Sequence, residues 1–373
     1  MKRRSDATIA ARSGVCADTQ LGAVMPPIHL SANFSFEAFG KKRAYDYTRS
    51  GNPTRDLFAE ALSELEHGAG CVVTSTGMSA VALVLELLGP GARVLAPHDG
   101  YGGTWRLFKA RERQQRIVLE LCDMRDERAL AEALARGPAL VWIETPSNPL
   151  LRLTDVRKVA QAAHAAGALV ACDNTFLSPV LQKPLALGAD LVVHSTTKYI
   201  NGHSDVVGGA VVGSTPELVE QLRWWANCTG ITGAPFDSYL ALRGLRTLPL
   251  RIRAQQESAR VLARALAGHE AVRAVHYPDL GAMLSFELEG GQEAVESFVA
   301  GLRCFTLAES LGGVESLIAH PATMTHASMD EAARAAAGIT PGLLRLSVGI
   351  EETEDLWQDL ARALQRTLKV GSR

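Results

Sequence analysis

Short runs of consecutive apolar residues, each followed by a polar or glycine-rich turn and then by a helical repeat, fill residues 56–213. The runs include Cys71-Val72-Val73, Arg93-Val94-Leu95-Ala96, Leu140-Val141-Trp142-Ile143, Leu169-Val170-Ala171-Cys172 and Leu191-Val192-Val193. Strands that are apolar at every position and separated by helices predict an α/β fold whose mainly parallel sheet is covered on both faces. Residues 1–55 lack sustained periodicity and hold turn-prone pieces, Met25-Pro26-Pro27 and Ser50-Gly51-Asn52-Pro53, so they read as an arm. Helical patterns fill residues 216–266, interrupted by a loop at 229–235. A smaller α/β segment follows, opening with the strand Ala282-Met283-Leu284-Ser285-Phe286-Glu287-Leu288 and closing with a helix over residues 354–368. The expected division is an arm at 1–55, a large domain at 56–245 and a smaller C-terminal domain at 246–373, with no internal repeat.

Composition narrows the class. With 47% hydrophobic and 21% charged residues, the 373-residue chain has the balance of a soluble globular protein with room for two cores. A net charge of -2 gives no electrostatic case for nucleic acid or an anionic membrane. Met1-Lys2-Arg3-Arg4 imitates the start of a signal peptide, but Ser5-Asp6-Ala7-Thr8 stands where an apolar stretch should follow, which argues against export. The six cysteines are scattered without Cys-x-x-Cys spacing, so the reading is reduced thiols in a cytoplasmic protein, with no disulfide framework and no metal site.

In an open parallel sheet, ligands bind beyond the carboxyl ends of the strands, so those junctions carry the candidate chemistry. After 71–73 comes Ser75-Thr76-Gly77-Met78-Ser79-Ala80, a helix start whose free N–H groups suit a phosphate or simply form an N-cap. After 93–96 comes His98-Asp99-Gly100-Tyr101-Gly102-Gly103, where Tyr101 can stack on a planar ring or be an incidental turn tyrosine. Glu144-Thr145-Pro146-Ser147-Asn148-Pro149 can aim Asn148 at a ligand or be only a tight turn. Asp173 ends the fourth run, where a buried carboxylate needs a partner, although it can equally cap a helix. His194-Ser195-Thr196-Thr197-Lys198-Tyr199 follows the fifth, with hydroxyls and an amine in one turn.

A lysine amine condenses with an aldehyde cofactor, and a carboxylate keeps that cofactor's ring nitrogen protonated. Successive strand ends thus supply what the phosphate, ring nitrogen, ring face and aldehyde of pyridoxal 5'-phosphate require. A nicotinamide-binding enzyme would share the sheet, but no Gly-x-Gly-x-x-Gly follows any of these strands. A binding or scaffolding protein on the same fold leaves Lys198 and Asp173 without a reason to occur together.

The segments Asp46-Tyr47-Thr48-Arg49-Ser50-Gly51-Asn52-Pro53, Ser75-Thr76-Gly77-Met78-Ser79-Ala80, Asp173-Asn174-Thr175-Phe176 and Ser195-Thr196-Thr197-Lys198-Tyr199-Ile200-Asn201-Gly202-His203 resemble the Cys/Met-metabolism enzymes dependent on pyridoxal phosphate, over nearly the whole chain. Met25-Pro26-Pro27-Ile28-His29, Trp224-Trp225-Ala226-Asn227 and Thr306-Leu307-Ala308-Glu309-Ser310-Leu311-Gly312-Gly313-Val314-Glu315 are similar to bacterial members that form cystathionine. The resemblance implies fold type I, a large cofactor-binding domain and a smaller C-terminal one. It implies Lys198 as the lysine that joins the cofactor, Asp173 on the ring nitrogen and Tyr101 on the ring face, also accepting a proton from an incoming amine. Gly77, Met78, Thr175, Ser195 and Thr197 would complete the cofactor site, with Tyr47 and Arg49 reaching the phosphate from a neighbouring subunit. A homotetramer with each active site shared between two subunits is implied too.

For the substrate, the resemblance implies Arg345 on the α-carboxylate, with Ser310 and Asn148 beside it, Arg106 on a succinyl carboxylate and Glu315 on a distal amino group. A surface pair is the other reading of Arg106 and Glu315. The implied reaction is a γ-replacement in which O-succinyl-L-homoserine and L-cysteine give L-cystathionine and succinate. The alternative is a γ-lyase that cleaves cystathionine to cysteine, 2-oxobutyrate and ammonia. The chain departs from the family where His276-Tyr277-Pro278-Asp279-Leu280 runs directly into Gly281-Ala282-Met283. Members generally carry a further loop and helix there, so either a deletion or a missing segment is implied.

Overall fold

The computed structural model describes residues 4–370 apart from 328 and 330; the basic residues at the extreme start, Lys2 and Arg3, lie outside the described residues with Met1. The strands are β1 (Gly70–Thr74), β2 (Ala92–Pro97), β3 (Ile117–Cys122), β4 (Leu140–Glu144), β5 (Leu169–Asp173), β6 (Leu191–His194), β7 (Gly209–Gly213), β8 (Val272–His276), β9 (Met283–Leu288), β10 (Thr306–Leu307), β11 (Leu317–Ala319) and β12 (Leu343–Ser347). The first seven form one sheet in the order β1-β7-β6-β5-β4-β2-β3. The run from β3 through β6 is parallel, and β7 lies antiparallel between β6 and β1.

The fully apolar runs follow from this burial. Leu140, Trp142 and Ala171 point into one core, while Val141, Ile143, Val170 and Cys172 point into another on the opposite face. β3 and β7 stand outside the runs read from sequence. β3 is an edge strand with Val118 and Leu121 exposed, so its pattern is broken by Glu120. β7 is Gly-Ala-Val-Val-Gly, with glycines at both ends.

Four helices bear on the site: α1 (Asp6–Arg12), α2 (Pro53–Glu66), α3 (Gly77–Leu85) and α4 (Gly102–Arg113). α1 gives the arm a short helix, with Ile9 and Ala10 buried in the same apolar cluster as Phe58 and Leu262. Seven residues make two turns, too few to show a periodicity. Beyond α1 the arm has only two isolated bridges, Asn33 with Tyr47 and Ala38 with Lys41, before Asn52 caps α2. It exposes Leu21, Leu30 and Phe39.

The second sheet has the order β10-β11-β12-β9-β8. It begins one strand earlier than the sequence pattern suggests, because β8 alternates and is only partly buried. The helices Pro216–Thr229 and Pro235–Leu245 leave the expected loop between them. The helix Leu248–Ala267 then lays Ile252, Ala259, Leu262 and Leu266 into one core with Phe286, Leu344 and Leu346 of the second sheet. The connection between β8 and β9 is closed by its own bonds. Tyr277 Oη donates to the Gly281 carbonyl at 2.9 Å, the Gly281 N–H donates to Gln256 Oε1 at 2.8 Å, and Arg260 pairs with Asp279 at 3.0 Å. Gly281 has φ +78°, where a side chain would be strained.

Candidate active site

A cavity of about 650 Å³ lies where the carboxyl ends of β1, β2, β4, β5 and β6 meet residues 309–311, 324–327 and Arg345 from the second half of the chain. It gathers Gly77, Met78, Tyr101, Arg106, Asn148, Asp173, Thr175, Ser195, Thr197, Lys198, Ser310 and Arg345. Parallel strands direct their ends and the following helix starts to one edge, which is why residues so far apart in sequence converge there.

At one end α3 opens against the turn after β6. Thr76 caps α3 by accepting the Ser79 N–H at 2.9 Å, which leaves the first-turn N–H groups directed outward. A Cβ added at Gly77 would come within 2.7 Å of Ser195 Cβ, so only glycine lets the helix start approach this closely. Thr175 Oγ1 accepts the Ser195 N–H at 2.9 Å and fixes the turn. The Thr197 hydroxyl is engaged with the backbone of Gly208, donating to its carbonyl and accepting from its N–H.

In the middle stands Lys198. Its Nζ donates to Ser310 Oγ at 2.9 Å. Burial, reinforced by the positive Arg345, lowers its amine from the usual 10.5 to about 8, so a sizeable neutral fraction exists near physiological pH. Asp173 accepts the Thr175 N–H at 3.0 Å; burial raises its carboxyl, while the bonds from Thr175 and the nearby His194 oppose the rise. Tyr101 retains 41% exposure, and burial of the rest raises its phenol.

Arg345 sits on β12, 3% exposed. Nη1 donates to Asn148 Oδ1 at 2.9 Å and Nη2 to the Ser310 carbonyl at 3.0 Å, while Nε has no hydrogen-bond partner among the described residues. Burial pulls its guanidinium down to about 10. A buried guanidinium that donates to two carbonyl oxygens and keeps Nε without a partner among the described residues is a site for an anion. Ser310 holds its carbonyl there with φ +105°, a strained conformation for a residue with a side chain. Arg106 is exposed at the rim of the same cavity.

Three predicted residues lie elsewhere. Tyr47 and Arg49 are on the exposed arm, where Arg49 Nη1 donates to Asn227 Oδ1 at 2.7 Å and its guanidinium stands 5.7 Å from the Tyr47 ring centre. Arg49 lines a separate open cleft beside α2. Glu315 accepts from Ser204 Oγ and does not line the cavity. The carboxylate that does so from the same segment is Glu309, whose negative charge is felt by Lys198, Tyr101 and Arg345. Sequence reading passed over Glu309 and also Glu144, which ends β4 and is 7% exposed. A carboxylate directly after a buried strand is the signal that could have found Glu144.

The donors fit pyridoxal phosphate: a cradle at a helix start that a Cβ would fill, a half-buried amine of lowered basicity, and a half-buried carboxylate at the end of the neighbouring strand. The chain matches the family described as Cys/Met metabolism PLP-dependent enzyme over residues 7–365. It is 52% identical to the cystathionine gamma-synthase of Escherichia coli K12, covering 98% of this chain and 99% of that one. That alignment runs over 383 residues, more than the 373 here, so the relative has residues this chain lacks. The cystathionine gamma-lyase of Bacillus subtilis is 41% identical, covering 96% of this chain and 98% of that one. The crystal structure of cystathionine gamma synthase from Xanthomonas oryzae pv. oryzae in complex with cystathionine is 61% identical, with a TM-score of 0.97, covering 98% of this chain and 99% of that one.

Proposed function

The chain belongs to the Cys/Met-metabolism PLP-dependent enzymes, and from that premise we propose that it joins O-succinyl-L-homoserine and L-cysteine into L-cystathionine by γ-replacement, releasing succinate. The observation that carries this reading is the pair of cations in one cavity. Arg345 is buried with a spare N–H, and Arg106 is exposed at the rim, which matches a substrate with an α-carboxylate at one end and a succinyl carboxylate at the other. Glu309 supplies the negative charge for an amino group within the same space.

Asp173 would hold the ring nitrogen, Tyr101 the ring face, and Gly77, Met78, Thr175, Ser195 and Thr197 the remainder of the cofactor. Tyr47 and Arg49 would come from a second copy, in a cytoplasmic homotetramer whose sites are shared between subunits. When bound, pyridoxal phosphate draws off the electrons left as protons leave the substrate's Cα and Cβ. The chain's own share of the work is to hold the substrate and to move those protons. Arg345 fixes the α-carboxylate through a planar fork already aligned by Asn148 and the Ser310 carbonyl. Lys198 Nζ, with its lowered basicity, can take a proton from Cα and one from Cβ before succinate leaves, and return them after the cysteine sulfur has added at Cγ. Ser310 Oγ orients that amine. Arg106 neutralises the departing succinate.

A γ-lyase would use the same floor and differ in what enters at the rim. Product analysis separates the two. Incubation with O-succinyl-L-homoserine should yield cystathionine only when cysteine is present. Cystathionine supplied alone and turned into cysteine and 2-oxobutyrate faster than it is made would replace this reading with the lyase.

A further inference from the structure

Glu144 has no part in the chemistry above, yet it occupies a costly position. It ends β4, a strand buried at every residue, and lies opposite Asp173 in the register of β4 with β5. Both side chains project on the face that Leu140, Trp142 and Ala171 define, from the ends of neighbouring strands whose backbones run about 4.8 Å apart. Burial, and then the closeness of Asp173, raises the Glu144 carboxyl well above the usual carboxylate range. A carboxyl retained in such a place needs a function that offsets its desolvation.

Its contacts supply one. Glu144 Oε2 accepts the Tyr101 backbone N–H at 2.8 Å. Tyr101 is the N-cap residue of α4 and makes no side-chain cap bond; α4 holds its carbonyl, which accepts the Trp105 N–H at 3.0 Å, while its own N–H is held by Glu144. The approach is tight: a Cβ at Gly100 would stand 3.2 Å from the same Oε2 and 3.3 Å from Pro97 Cγ. Beyond this bond the ring lies across Gly103, where a Cβ would come within 2.4 Å of Tyr101 Cε1. The tyrosine is thus pinned at its N–H by β4 and draped over a glycine at its ring, with Glu144 the only part of that fixture that comes from another strand.

We propose that Glu144 is a positioning residue that anchors the Tyr101 backbone from the end of β4 and so sets where the Tyr101 ring meets the cofactor. This rests on the reading of Tyr101 as the ring-face residue. The bond to a main-chain N–H, not the carboxylate's charge, is what matters, so Glu144→Gln, whose amide oxygen can accept the same N–H, should serve while Glu144→Ala should not.

The test uses the cofactor-loaded enzyme with two readouts: hydrogen exchange at the Tyr101 amide, and the circular dichroism of the bound cofactor's absorption band. Glu144→Ala should speed Tyr101 exchange by about five- to tenfold, as expected for one lost hydrogen bond. It should also weaken the dichroic band and lower kcat for O-succinyl-L-homoserine more than it raises KM. Glu144→Gln should keep the wild-type values. Gly100→Ala, which crowds the same oxygen, should shift both readouts in the direction of Glu144→Ala, and it decides the matter if Glu144→Ala does not fold. Unchanged exchange in Glu144→Ala or, failing that variant, in Gly100→Ala overturns the proposal. So does Glu144→Gln disturbing both readouts as much as Glu144→Ala, because charge would then be the cause. A wild-type protein with no cofactor band overturns the cofactor reading instead, leaving Tyr101 exchange to judge the anchor.

Discussion

His326 links the chemistry of the cavity to pH. It is 1% exposed, its Nε2–H donates to the Asn148 carbonyl at 3.0 Å, and Nδ1 faces the Thr325 hydroxyl at 2.8 Å. Asn148 in turn holds Arg345, so the imidazole braces the carboxylate-binding end from behind. Burial, and then the charge of Arg345, pushes its pKa down to about 4. An unfolded histidine titrates near 6.5, so between about 6.5 and 4 the unfolded chain binds the proton that the folded one refuses. The contribution is fully present above about pH 6.5 and is lost as pH falls toward 4, amounting to on the order of 3 kcal/mol. Denaturant unfolding at pH 7 and pH 5 should show this loss in the wild type and a flatter dependence in His326→Gln. An imidazole resonance that titrates near 6.5 in the folded protein would show the burial argument to be wrong.

Single residues were legible in sequence where a turn with unusual chemistry follows an apolar run. Lys198, Asp173 and Tyr101 stand out for that reason. Glu144 did not, because a carboxylate before Thr145-Pro146 has the look of a turn. Glu309 and Glu315 lie in one segment, and choosing between them needs the path of the chain. Gly312, at φ +79° and packed so that a Cβ would meet the Tyr199 nitrogen at 2.6 Å, turns the segment and sends Glu315 toward Ser204.

At the scale of elements, α2 is the piece that carries the chain from the arm into the sheet, and its start is set by Asn52. Oδ1 accepts the Thr54 and Arg55 N–H groups at 3.0 and 3.3 Å, while Nδ2 donates to the His29 carbonyl at 3.0 Å and to Thr48 Oγ1 at 3.2 Å. One side chain therefore caps the helix and ties down the arm. Asn52→Ala should cost about 2 kcal/mol of stability, since a lost cap is joined by the partly buried His29 carbonyl left without its donor. A shift below about 0.5 kcal/mol in denaturant unfolding, the level of an ordinary surface change, would contradict this. The central strands could be read from sequence because burial on both faces demands unbroken apolar runs. The edge strand β3 could not, since half of it faces outward, and α1 was hidden because two turns are too short to declare a period.

At the scale of the whole molecule, a single chain brings a dozen of the expected site residues to one cavity but leaves Tyr47 and Arg49 outside it, on an arm that exposes Leu21, Leu30 and Phe39. Exposed apolar residues grouped on one extension fit the proposed assembly, in which a second chain would cover them. The proposal for Lys198 thus depends on a second chain delivering that arm. Mixing subunits tests this most directly. Arg49→Ala and Lys198→Ala proteins, each with little activity alone, are combined in equal amounts under conditions of verified subunit exchange. In a hybrid pair related by twofold symmetry, one of the two sites receives Lys198 from one chain and Arg49 from the other, so about a quarter of wild-type specific activity should return. Failure to regain any activity after exchange would contradict a site built from two chains.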